Sequence, residues 1–351
     1  MRYFMGLVLA LVLAVMGCTD AEGTGGTHSD GGSGGGGIGG SAGGDGGVGG
    51  TSSLCEDLVC PCTEAGIRAA IAEGGGPLRF DCDGPTTLVT EAEIVIYNDV
   101  ALDGGGNLTV DGNDDHGVFQ VEEGVTAELR GFTVTGGDDN HGGGIDNAGT
   151  LTVTGCTLFE NSSLGAIFNT GEMTIVNSTL SENARGAHCD SILNCDGVMR
   201  IISSTVSETM GGVAGNICNP VVIVGAKAST GCGGGQLSLT NTVVNAACAL
   251  EFGLVESSGH NIESPGNTCG FDQPTDQVDV SEEALGLLPL ADNGGGTMTH
   301  ALGAGSAAID QIPEADCVDA GGEPLTTDQR GEPRPETGGT MCDVGAFEVQ
   351  P

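Results

Sequence analysis

Between residues 127 and 244 apolar and polar side chains alternate with a period of two in short runs. That is the pattern of strands, because neighbours on a strand face opposite sides. The run Leu151-Thr152-Val153 returns 22 residues later as Met173-Thr174-Ile175. The same offset carries Ile145 onto Ile167, Asn147 onto Asn169, Thr157 onto Thr179, Leu158 onto Leu180, Glu160 onto Glu182 and Asn161 onto Asn183. Further copies begin at Met199 and Leu237, and a degenerate one at Ala127. A period in the low twenties, with Gly or Asn at the corners, predicts a solenoid. Leucine-rich repeats share the length but require several leucines and an Asn in a fixed frame, which are missing. The pattern fits an all-β fold, a parallel β-helix whose coils stack at about 4.8 Å. In this register Val153 and Ile175 point inward, Thr152 and Thr174 point outward, and Asn147 over Asn169 and Asn161 over Asn183 form amide ladders at the turns.

Composition agrees with a narrow core. The 351 residues include 66 Gly, no Trp, two Tyr and nine Phe, so Val, Ile, Leu and small residues must supply the buried area. Nine basic against 48 acidic residues give a net charge of −39. A phosphate tract would be repelled, which excludes nucleic acid and anionic headgroups as electrostatic partners and leaves cations and basic surfaces.

The chain divides by composition. Residues 1–17 read as a signal peptide: Arg2, then the apolar run Gly6 to Met16, too short to span a bilayer comfortably. Val15-Met16-Gly17-Cys18 resembles a bacterial lipobox, which implies a lipid on Cys18; the alternative is an ordinary cleaved signal with a coincidental cysteine. Thr19 stands where an inner-membrane retention signal has Asp, so the expected address is the outer membrane. Residues 18–53, nearly all Gly, Ser, Thr and Asp, bury too little apolar surface to offset their ordering entropy and read as a lipid-anchored flexible tether spanning roughly 30 to 35 Å. Residues 54–284 hold the repeats and an N-terminal cap, and residues 285–351 form an irregular C-terminal cap.

Apart from Cys18 there are 13 cysteines in a chain directed out of the cytoplasm, which favours disulfides over metal ligands. Cys60-Pro61-Cys62 has neither zinc-knuckle nor CxxC spacing. Twelve cysteines can pair in about ten thousand ways. Proximity in sequence suggests Cys55 with Cys60, Cys62 with Cys82, Cys189 with Cys195, Cys218 with Cys232, Cys248 with Cys269, and Cys317 with Cys342. Cys156 is left over, because it shares a register with Ser178, Ser204 and Thr242, where a small buried side chain fits.

The segment Gly142-Gly143-Gly144-Ile145 through Val153, followed by Phe159-Glu160-Asn161, resembles the right-handed β-helix repeats of polymorphic outer-membrane-type bacterial surface proteins. Cys62 to Ile71 looks like the short amphipathic helix that covers their first coil. Leu290 to Leu302, Ser306 to Asp310, Thr327 to Gly331 and Cys342 to Glu348 are similar to the choice-of-anchor Q region of exported bacterial proteins. Gly296 and Ala307 depart from that pattern, which has proline at both places, and looser turns are expected there. The resemblance implies a right-handed, pectin-lyase-like parallel β-helix with no single assigned activity. Fold does not supply function. Enzymes on such a scaffold need paired acids beside a basic group, or a calcium-holding acidic cluster with an arginine base. The nearest candidates are Asp111, Asp114 and Asp115, before His116, and Asp138 and Asp139, before Asn140 and His141. All lie beside glycines in expected turns, where Asp and Asn are common for backbone reasons. Calcium is the candidate ion for these five aspartates, and no other cofactor is expected. Arg130 and Arg185 are the nearby arginines, and nothing places either against the acids. His300, Asp310, Arg330 and Asp343 are expected to fix turns and ion pairs. The expected protein is a non-catalytic cell-surface or periplasm-facing lipoprotein that presents its β-helix to polysaccharide or a surface protein. The alternative is a polysaccharide lyase or glycoside hydrolase.

Overall fold

The computed structural model describes residues 54–351 except 140, 164, 184–189, 208–220, 225–233 and 251–252. Cys18, Cys189, Cys218, Cys232 and Arg185 therefore lie outside the described residues, as do the expected signal and tether.

The repeats wind into a parallel β-solenoid of about 6 turns. Each complete coil contributes a strand to three rows. In one coil these are Ile145–Asn147, Thr150–Thr154 and Thr157–Phe159; in the next they are Ile167–Asn169, Glu172–Val176 and Thr179–Ser181. The pairing register is the one read from the sequence: Ile145 with Ile167, Leu151 with Met173, Val153 with Ile175, and Leu158 with Leu180. The copies at Ala127, Met199 and Leu237 join the same columns. Columns such as Leu102-Leu129-Val153-Ile175-Ile201-Leu239 are buried throughout, while Thr152 and Thr174 are half-exposed on the other face. Step length is not constant. Met199 pairs Leu237, 38 residues on, so insertions enter between strands without shifting their register.

The corner between the second and third rows shows why particular residues recur. Gly131, Gly155, Asn177, Ser203 and Asn241 all sit at positive φ, between 46° and 64°. The residue after each turns its side chain inward. Ser178 Oγ and Ser204 Oγ donate to the carbonyls of Val176 and Ile202, two residues back, while Ser178 Oγ accepts the N–H of Cys156 and Ser204 Oγ that of Ser178. Cys156 occupies the same rung, with its sulfur accepting the Phe132 N–H at 3.4 Å. One small polar atom per coil thus satisfies buried backbone groups in two coils.

Amides do the same at the other corners. Asn147 Nδ2 donates to Asn169 Oδ1, and Asn169 Nδ2 to Asn194 Oδ1, each at 2.7 Å. Asn161 Nδ2 donates to Asn183 Oδ1 at 3.0 Å. The first ladder replaces an aliphatic column, since Ile96 and Val121 occupy the same register in the preceding coils.

Both ends of the core are covered. Helix Glu64–Glu73, capped by Thr63, buries Ile67, Ala70 and Ile71 against the first coil. At the other end, the buried Glu263 stands over Val244 and accepts N–H bonds from Thr268 and Cys269, closing a loop pinned by Cys248–Cys269. The pairs Cys55–Cys60, Cys62–Cys82 and Cys317–Cys342 also form, and Cys195 is disulfide-bonded.

Cys156 is a free, buried thiol whose pKa burial raises to about 12. Iodoacetamide is therefore expected to leave Cys156 unmodified in the native protein and to alkylate it in urea without reductant. Native-state alkylation, read by peptide mass, would contradict the packing.

The C-terminal region lies along the third row. Gln329 bonds Thr157 and Thr179, Thr297 bonds Gly155 O, Asn177 Nδ2 bonds Thr327 O, and Ala346 N bonds Thr205 Oγ1. Thr157, Thr179 and Thr205 point outward yet are buried, because this strap covers them. Gly296 stands where the resembled pattern has proline and where a looser turn was expected, but it is closely packed: it sits at φ +95°, and a Cβ there would lie 2.6 Å from Gly106 O. Proline can adopt neither that φ nor that approach.

Candidate functional site

On the first row the outward side chains of successive coils stand above one another: Val95, Gln120, Asp146 and Phe168. Carboxylates gather beside this column. Glu93 and Asp139 flank Gly117, where a Cβ would lie 2.5 Å from Glu93 Oε1 and 3.5 Å from Asp139 Cβ. Burial raises the Glu93 carboxyl pKa, helped by the charges of Asp139 and Asp146 and opposed by His116 and His141. Asp146 is raised chiefly by burial, against a hydrogen bond from Gln120. A shallow groove of about 350 Å³ opens at Asp146, lined also by Gln120, Glu122 and Glu123.

The imidazoles are held by the fold. His116 places its two ring nitrogens 2.9 and 3.1 Å from the carbonyls of Gly117 and Thr90. His141 rests on Phe168 with ring centroids 5.5 Å apart. Acceptors, one amide and an aromatic surface along one face suit a hydroxyl-rich chain: carboxylates and the Gln120 amide oxygen accept hydrogen bonds from hydroxyls while Phe168 packs against C–H faces.

The aspartates singled out from sequence are used differently from one another. Asp111 ends strand Val100–Asp111 and Asp138–Asp139 pairs with Ser162–Ser163, so these three lie at or in strands, not in the expected turns. Asp114 is in a turn at φ +53°, and Asp115 is exposed beside it. Asp111 Oδ1 accepts the Asn113 N–H and Asp139 Oδ1 the His141 N–H, both at 2.8 Å. Among the described residues no three His, Cys, Asp or Glu converge to hold a metal ion, so the calcium assignment of Asp111, Asp114, Asp115, Asp138 and Asp139 finds no ligand cage. Asp139 alone joins the acidic cluster. Arg130 is paired with Glu128 on the second row, away from those acids in register.

Glu93 and Asp146 were not singled out. Asp146 lies inside the repeat, where its outward position was visible, but its burial and partners depend on which coil lies beside it. Glu93 precedes the clear repeats, and only the pairing of Ile94 with Phe119 brings it beside Gly117.

In the strap, Arg330 makes an ion pair with Asp328 at 2.7 Å and lies 3.6 Å over the Phe347 ring. Asp343 accepts the N–H groups of Asp310 and Val349. These are turn and packing roles. No family model matches the chain, and no curated protein or solved structure matches it either. Fold and site together define the class: a parallel β-solenoid with an acidic lateral face.

Proposed function

We propose that the protein is a bacterial outer-membrane surface lipoprotein whose solenoid presents its first row for carbohydrate binding or adhesion, without catalysis. The observation that carries this reading is the outward column Gln120, Asp146 and Phe168, one side chain per coil, beside the groove of about 350 Å³. Regular spacing along a rigid surface suits a repeating polymer better than a single compact ligand. The lipobox-like Cys18, the Gly-rich segment and the resemblance to right-handed surface β-helices and choice-of-anchor Q regions support the location.

Glycan-array binding by the protein is expected, with loss of signal in Phe168→Ala and Asp146→Ala; arrays that stay blank, or signals unchanged by both substitutions, would remove the reading. Metabolic labelling with palmitate is expected to mark the wild type and to leave Cys18→Ser unmarked. An unlabelled wild type would exclude the lipid anchor.

Hydrolysis is the second reading, favoured by the raised proton affinities of Glu93 and Asp146 on one face. Its mark would be reducing ends released from a polysaccharide by the wild type and not by Glu93→Gln or Asp146→Asn.

A further inference from the structure

A second pocket, of about 280 Å³, lies where the hairpin of strands Leu287–Ala291 and Thr299–Leu302 meets the third row. It is separate from the acidic groove. Its polar lining is Glu182, Ser207, Asn245 and His300, and its apolar lining is Leu287, Leu288, Pro289 and Leu290. Ser181, Ser207 and Asn245 share one register position on three successive coils, so the repeat itself aligns them beneath the hairpin.

The hydrogen bonds leave one group over. His300 Nδ1 lies 2.7 Å from Leu288 O, and Nε2 lies 2.9 Å from Ser181 Oγ. The carbonyl can only accept, so Nδ1 carries the proton and Nε2 accepts from the Ser181 hydroxyl. Asn245 Nδ2 donates to Ser207 Oγ at 3.3 Å. Asn245 Oδ1 has no partner, although the residue is only 7% exposed. Buried amide oxygens are rarely left unpaired, because the lost hydration is not recovered.

A ligand that fills this pocket must bring donors. Asn245 Oδ1 and the Glu182 carboxylate are both acceptors, one of them anionic, and among the described residues the lining has no Lys or Arg to hold an anion. The His300 imidazole, whose pKa burial lowers, adds no opposing charge at neutral pH. A net charge of −39 draws cations toward the surface as a whole. The leucines require an apolar body behind the charge, and the volume is near the lower end of small-ligand sites, roughly 300–1,000 Å³. We propose that this pocket binds a small primary amine, whose ammonium group donates to Asn245 Oδ1 and the Glu182 carboxylate while its apolar stem packs on Leu287, Leu288 and Leu290.

Such an amine can be carried on an aliphatic chain or on a sugar ring, whose C–H face would then be the apolar body against the leucines, and two probes separate these. Calorimetric titration of the full chain at pH 7 with n-butylamine and with D-glucosamine should give saturable one-site binding to at least one of them. n-Butanol and D-glucose should bind at least about tenfold more weakly. Glu182→Gln and Asn245→Ala should each weaken amine binding about tenfold, and Glu123→Gln, in the other groove, should not. Asn245→Asp keeps the side-chain shape and should tighten it, which decides the matter where the alanine variant fails to fold. Binding to glucosamine alone assigns an amino sugar, and binding to butylamine alone assigns an alkylamine. The proposal is overturned if the neutral analogues bind as tightly, if the amine heats are those of equal ionic strength in NaCl, or if affinity is the same in all four variants.

Discussion

Val153→Asp is expected to unfold the solenoid, whereas Thr152→Asp, one residue away, is expected to leave it standing. Val153 is 1% exposed and stacked between Leu129 and Ile175 in a column with no polar member from Leu102 to Leu239. A carboxylate there meets no donor and must either stay charged without hydration or take up a proton at a cost of several kcal/mol. Against a total stability of about 5–15 kcal/mol, that loss removes most of the folded population. A parallel stack gives it no local escape, because a coil that opens breaks the ladders on both of its sides. Thr152 faces outward between Glu128 and Thr174, and Glu128 is already paired with Arg130. The new charge there costs a few tenths of a kcal/mol from its acidic neighbour, within the range of ordinary surface substitutions. Urea unfolding followed by far-UV circular dichroism separates the two. Equal midpoints would mean that the strand faces are assigned wrongly.

The register could be read from the sequence because a parallel stack repeats the same requirement at the same offset. An inward column needs an apolar residue in every coil, a ladder needs Asn in consecutive coils, and the corner needs a residue that tolerates positive φ followed by a small hydrogen-bonding one. Ile145, Asn147, Val153 and Cys156 announce their environments through Ile167, Asn169, Ile175 and Ser178. The strap is different. It occurs once, its contacts join residues about 150 apart, such as Thr179 with Gln329, and no periodicity links them. Period-two reasoning puts Thr157, Thr179 and Thr205 outward, which is correct, but outward positions become buried where another segment lies on them.

The same distinction separates the two candidate sites from the aspartates chosen by motif, Asp139 excepted. Asp111, Asp114, Asp115, Asp138 and Asp139 stood out because acids and glycines cluster around them, yet Asp111 and Asp139 accept backbone N–H groups two residues on. Local acid clusters are commonly solved locally, by Asx turns. Glu93 beside Asp139, and Asn245 lining one pocket with the hairpin, are long-range neighbours, and each gains its unusual environment from a coil or hairpin far off in sequence. Chemistry that needs desolvation is built by tertiary contact, so single-residue motifs in a solenoid mark turns more readily than sites.

The strap's docking rests on a buried pair, and its loss is the second large effect expected. Arg334 Nε lies 3.0 Å from Glu348 Oε2, with both side chains 0% exposed, and the guanidinium also donates to Asn177 Oδ1 and Gly345 O. Arg334→Met removes all three bonds and strands a carboxylate, a change of roughly 3–5 kcal/mol. Glu348 already lacks a partner for Oε1, and burial pushes its pKa from 4.5 up to about 7 despite Arg334. A carboxyl raised in the folded state binds its proton there more tightly than in the unfolded chain. Its contribution is therefore present in full below about 4.5, is lost as pH rises toward 7, and changes no further above that value. The span corresponds to roughly 3 kcal/mol. Asp343, raised mainly by burial, acts in the same direction. Thermal unfolding of wild type and Glu348→Gln between pH 4.5 and 8 at constant salt tests this, since the repulsion from the rest of the acidic chain is common to both. The wild-type melting temperature should fall more steeply across the window than that of Glu348→Gln, and Arg334→Met should recover part of its lost stability at the acid end. Parallel curves for wild type and Glu348→Gln would show that the pair does not titrate with folding.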